Sequence, residues 1–193
     1  MTDDTTPSFG PMQTVKRHFF AMRNGVIADV LRKAGSPFRI IFGLNLPQLV
    51  DIAEQTGDDA ELARSLWANS TTRESMMLAP MIFPRAEMDR GEAERWIAAI
   101  PAAEIADVLC HRQLRYQPYA VELARDLVGS DKAMDRYTAL RLMFNLVSAH
   151  PAEAAATAAA VAARPDALTD RVAAMLAEEA SYMSEFENNG DFR

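Results

Sequence analysis

The residue types able to do chemistry in this 193-residue chain gather around one carboxylate, Asp107, in the segment Ala103-Glu104-Ile105-Ala106-Asp107-Val108-Leu109-Cys110-His111. Ile105 and Leu109 lie one helical turn apart and should face a core, which turns Asp107 to another side with His111 four residues on. At that spacing Asp107 and His111 can form an ordinary pair along one helix. The functional alternative sends Asp107 into a concave groove, where a carboxylate would stabilise positive charge developing on a substrate. Trp96 precedes the segment, Arg112 and Arg115 follow it, and Arg136 and Arg141 recur on a later helical stretch. Such arginines serve either as a solvated basic edge or as contacts to phosphate.

The other reactive side chains are dispersed. His18, His111 and His150 lie far apart and read as partly exposed helix residues rather than ligands. Cys110 and His111 are adjacent, so on a helix their side chains diverge by about 100 degrees and cannot work as nucleophile and base. Cys110 reads as a small buried side chain. The sequence has no phosphate-cradling glycine loop, no pair of metal-spaced cysteines and no His-Glu-x-x-His motif, so neither a cofactor nor a metal is expected.

Charge bears on the partner. Lys and Arg number 20 against 27 Asp and Glu, a formal net charge of -7. Proteins that hold duplex DNA usually present a basic face, because neutralising phosphates releases counterions. The acidic total argues against nucleic acid but leaves room for a local basic stripe, since the acids concentrate at the two ends and in residues 51–61.

Positioning these residues falls to helices. Hydrophobic residues make up 49% of the chain, with 11 Met, only 8 Gly and many Ala, a composition suited to packed helices and poor in strand formers. The length fits a single domain, residues 12–193, behind a disordered lead, residues 1–11, punctuated by Pro7, Gly10 and Pro11. A lone cysteine excludes an intramolecular disulfide. Met1 to Pro7 are acidic and polar, unlike a secretory leader, and no later run is long enough to span a bilayer, so a cytoplasmic protein without membrane contact is expected.

Roughly ten helices follow from periodicity and capping. Val15, Phe19, Met22 and Val26 share one face, and Asn24-Gly25 can kink the join to a second piece that ends before Gly35-Ser36-Pro37. Phe38 to Phe42 has strand composition but no partner run, and reads as a packed connector. Asn45 with Gln48, Asp58 with Glu61, and Asp89 with Glu92 are start signals; Gly57, Pro80 and Pro84 are stops. Pro101, Pro118, Ser130 and Pro151 begin later helices, Tyr137, Leu140, Phe144 and Val147 form an apolar row, and Ala152 to Ala163 reads as an inner or capping helix. Short turns between helices make antiparallel pairs, and stacking such pairs gives an all-α solenoid, a closed bundle being the competitor.

One corner carries more than local information. Leu62, Leu66 and Trp67 close the apolar face of one helix, Asn69 and Ser70 break it, and Thr71 with Glu74 is expected to form a capping box for the next. Taken in order, Phe42-Gly43-Leu44-Asn45-Leu46-Pro47-Gln48-Leu49, Ile52-Ala53, Leu66-Trp67, Glu74, Leu78-Ala79, Ile105-Ala106-Asp107 and Arg136-Tyr137-Thr138-Ala139-Leu140 resemble the HEAT-like DNA alkylation repair family, the AlkD-type alkylpurine DNA glycosylases. The likeness covers about residues 38 to 147. It implies a HEAT-like α-solenoid whose concave face cradles DNA, and an enzyme that excises an alkylated purine by hydrolysing its glycosidic bond during base excision repair. By that match Asp107 is the carboxylate near the lesion and Arg136 or Arg141 a phosphate contact; the glycosylase reading adds Trp96 as aromatic support and places Arg112, Arg136 and Arg141 on phosphate.

The chain also departs from the family's pattern. Ala103 stands where the family has a tryptophan four residues before its aspartate, Glu104 replaces a neighbouring aspartate, and Val50 stands where an arginine is usual. The stacking wall is missing. Two functional readings follow: an alkylpurine DNA glycosylase or damaged-DNA binder with duplex DNA as partner, or a non-catalytic helical-repeat scaffold that binds a protein partner. The sequence carries no signal for an oligomeric state.

Overall fold

A computed structural model describes residues 10–189, so residues 1–9 of the expected lead lie outside the described residues. Among the described residues the chain forms eleven α-helices and two 3-10 turns. It clusters into two compact units that divide after Pro84. The architecture is the expected all-α one of helix pairs joined by short turns.

In the first unit, α1 (Pro11–Ala21), with Gly10 as its N-cap, begins one residue before the order expected at Met12. Asn24 does more than kink the chain. Its side chain accepts the N–H groups of Val26 and Ile27, ending one helix and starting α2 (Gly25–Lys33). Val26, expected on the apolar row of α1, is therefore exposed in the first turn of α2. Asn45 and Gln48 cap each other at the start of α3 (Leu46–Thr56), which stops at Gly57 with a φ of 73°. The cap of α4 (Ala60–Ala68) is Asp59, one residue after the expected Asp58. Pro80 does not stop α5 (Arg73–Ile82), because a proline removes one backbone hydrogen bond without preventing the chain from continuing helically.

The corner before α5 differs from the expected capping box. Ile40 N–H donates to the Thr71 carbonyl at 2.9 Å and Arg73 N–H donates to the Ile40 carbonyl at 3.1 Å, forming an isolated parallel bridge between Ile40 and Thr72. This pairing moves the N-cap to Thr72, whose side chain makes no capping bond. Glu74 turns away from Thr71. It is 0% exposed and accepts the backbone N–H groups of Phe42, Gly43 and Leu44 at 3.0, 2.9 and 3.4 Å. Arg73 donates to Glu74 at 3.2 Å and to the Leu44 carbonyl at 3.1 Å, so the buried carboxylate is both paired and hydrogen-bonded. Gly43 has a φ of 82°, and a Cβ there would stand 2.2 Å from the Asn24 carbonyl oxygen. Leu44, Leu49, Ile52, Leu66, Trp67, Met76 and Leu78 fill the core beneath this clamp.

The second unit holds α6 (Arg90–Ala98), α7 (Ala103–Arg112), α8 (Ala120–Val128), α9 (Ala133–Phe144), α10 (Pro151–Ala162) and α11 (Asp170–Asn189). Asp89 caps α6 as expected, while α7 stops at Arg112 and Leu114–Tyr116 is a separate 3-10 turn. Helix α9 is central, packing against α6, α7, α8, α10 and α11. It buries Arg136, Tyr137, Thr138, Ala139, Leu140, Leu142 and Met143, so its true buried surface is much wider than the expected row. Helix α10 is an inner helix: Ala154 and Ala158 are buried, as are Ala173, Leu176 and Ala180 of α11, and small side chains let the two approach closely. Among the described residues no helix is long and apolar enough to cross a membrane.

Candidate functional site

Asp107 lies on α7 where that helix packs against α9. Ile105 and Leu109 are fully buried, as their spacing requires, and this leaves the Asp107 side chain 37% exposed. Its Oδ1 accepts two hydrogen bonds from α9, from Arg141 Nε at 2.7 Å and from the Tyr137 hydroxyl at 3.0 Å. Its Oδ2 has no hydrogen-bond partner among the described residues. One carboxylate oxygen is thus held from the neighbouring helix and the other is open.

The donors suit the carboxylate. Burial, reinforced by the negative charge of Asp107 and the bond donated to it, pushes the Tyr137 hydroxyl well above its ordinary value, so it stays protonated and donates at neutral pH. Arg141 is itself half-buried, and its guanidinium lies 5.5 Å from the Phe144 ring centroid. The expected helical pair of Asp107 with His111 does not form. His111 Nδ1 meets Asn145 Oδ1 at 3.0 Å, and Asn145 Nδ2 donates back to the Arg141 carbonyl at 2.8 Å. Cys110 is fully buried; burial first, and then Asp107, push its thiol strongly up, so it is inert as a nucleophile.

The structure separates the other expected site residues. Trp96 is 3% exposed and its indole N–H donates to Glu92 at 2.6 Å, so it is a core side chain with no open ring face. Arg136 is 5% exposed and donates to the Ser130 and Asp131 carbonyls, both at 2.9 Å, pinning the turn before α9. Neither side chain is open to solvent. Arg112 is half-buried at the end of α7 and makes no side-chain hydrogen bond among the described residues. Of the five expected residues, Asp107 and Arg141 are brought together. Tyr137 and Phe144, read from sequence as members of an apolar row, are the aromatic side chains beside this pair. Ala103 lies one turn before Asp107 on α7 and offers only a methyl group.

Comparison with known proteins agrees with the helical architecture. The sequence model of a family described as DNA alkylation repair enzyme matches residues 15–180. No curated protein matches the chain. A solved structure is similar with a TM-score of 0.75 and 16% identity, over 90% of this chain and 82% of that one. It is described as from a new family of proteins related to the HEAT-like repeat DNA glycosylases with affinity for branched DNA structures.

Proposed function

The chain belongs to the DNA alkylation repair family, and on that premise we propose that it hydrolyses the glycosidic bond of an alkylated purine in DNA, with Asp107 as the catalytic carboxylate. A purine alkylated on a ring nitrogen is cationic and already a good leaving group. The C1′–N bond breaks, its electron pair departs with the base, and the sugar develops oxocarbenium character that one carboxylate can stabilise. Water then adds to C1′ and loses its proton to solvent.

The observation that carries this reading is the arrangement of Asp107. Two donors from α9 hold Oδ1, while Oδ2 is unengaged on a side chain that remains 37% exposed. An oriented carboxylate acts without reorganising at the moment of bond cleavage. The direct test incubates the protein with duplex DNA carrying an N-alkylated purine and measures the free base. Release above the spontaneous rate supports the reading, and none at high protein concentration contradicts it.

A second reading rests on Ala103 and Trp96. With a methyl group beside Asp107 and the nearby indole in the core, no tryptophan ring stacks on an extruded base, which favours a repeat protein that binds DNA or a protein partner without chemistry. Salt-sensitive DNA binding without base release would select that reading for DNA.

A further inference from the structure

Tyr116 ends the 3-10 turn after α7 and is 45% exposed. Two arginines contact it, and the charge of a third, Arg112, acts on it from the end of α7. The Arg85 guanidinium lies 3.8 Å from the ring centroid and that of Arg115 lies 4.6 Å away, while Arg115 also donates a hydrogen bond to the Tyr116 hydroxyl. The Arg115 bond, together with the positive charges of Arg115, Arg85 and Arg112, holds the phenol below its ordinary value. The turn is braced from both sides: Arg85 Nε donates to the Arg112 carbonyl at 3.3 Å, and Gln117 Nε2 donates to the Arg85 carbonyl at 3.0 Å.

None of these three arginines has an ion-pair partner among the described residues, although the chain carries a net charge of -7. Arg115 Nε is buried without a hydrogen-bond partner. Like charges held together and left without counter-charge in an acidic protein cost free energy unless an anion completes them. The ring contacts fix the guanidinium planes in advance, which lowers the ordering cost of binding a planar or tetrahedral oxyanion.

We propose that Arg85, Arg112 and Arg115, organised by Tyr116, form a phosphate-binding cluster that grips the DNA backbone apart from Asp107. This rests on the reading of the chain as a DNA-binding protein, and it assigns the cluster no part in base release. Arg112 lies five residues beyond Asp107, about 140 degrees round the helix axis, so the backbone contact and the carboxylate occupy different faces of α7.

The test measures affinity for a fluorescent unmodified DNA duplex across a salt series. Arg85→Gln with Arg115→Gln should weaken binding by about tenfold or more and lower the slope of log K against log salt by roughly 1.8, about 0.9 for each phosphate left unneutralised. Lys33→Gln with Arg171→Gln makes the same change of net charge at exposed positions elsewhere and should leave both values near wild type. Tyr116→Phe keeps the ring and removes the Arg115 acceptor, so it should weaken binding less than the double arginine variant. Circular dichroism checks that each variant keeps its helices. Equal losses in the two double variants, an unchanged slope in the first, or no DNA binding by wild type would each overturn the proposal. Polyglutamate displacing DNA as effectively as unlabelled duplex would overturn it in favour of an acidic protein partner. Base release is measured separately, so a protein that binds through this cluster yet frees no base contradicts the catalytic reading alone.

Discussion

Asp107 shows how little a reactive side chain owes to its sequence neighbours. Its local candidate partner, His111, pairs with Asn145, while its actual partners, Tyr137 and Arg141, come from 30 and 34 residues later. Removing one of the two oriented donors should matter to catalysis. Tyr137→Phe is expected to lower the single-turnover rate of base release about tenfold, the equivalent of one hydrogen bond to a charged group, while DNA affinity stays unchanged. Cys110 supplies a separate prediction for stability. Its thiol stays protonated in the folded protein, whereas in the unfolded chain it ionises at about pH 8.5. Above that pH the unfolded state binds fewer protons, so stability must fall, with a slope approaching about 1.4 kcal/mol per pH unit. Tyr119, pushed up to about 12 by burial and the charge of Asp89, adds to the fall above about pH 10. Urea midpoints at pH 8 and pH 10 should show the loss, and Cys110→Ala should reduce it.

At the level of helices and turns, Glu74 and Gly43, two of the residues in the family likeness, prove to be structural. Glu74 is spaced to cap its own helix, yet it holds three N–H groups of the Phe42-Gly43-Leu44 turn. Glu74→Ala leaves those three donors unsatisfied, removes the carboxylate that Arg73 pairs with in the interior, and should cost about 3–5 kcal/mol in urea unfolding. Gly43→Ala adds strain at positive φ to a backbone clash and should cost about 3 kcal/mol or more by the same measurement. Elements whose signals are local are legible in the sequence: Asn45 with Gln48 and Asp89 start helices as their spacing predicts. Elements governed by distant contacts are not. The bridge from Ile40 displaces the cap at Thr71, and α9, surrounded by neighbours, buries Arg136 that looks like a surface cation in sequence. Trp96 likewise looks available, because a sequence does not reveal that Glu92 one turn earlier binds its indole inside the unit.

For the molecule as a whole, the helical class is readable from composition and periodicity, and the family from an ordered set of motifs, each weak alone. Net charge is the poorest guide. It sums the whole chain, whereas the acids concentrate at the ends and in residues 51–61 and arginines group locally around Tyr116, where the proposed phosphate contact is to be tested. The chemistry turns on one proposition, that Asp107 assists cleavage of a glycosidic bond. It is tested by the single-turnover release of an alkylated purine from duplex DNA by wild type and by Asp107→Asn, both at protein concentrations that saturate the DNA. Wild type should release the base, and the variant should do so at a rate about 10²–10³ lower with binding little changed. Equal rates, or no release by wild type on DNA that it demonstrably binds, would contradict the assignment of Asp107.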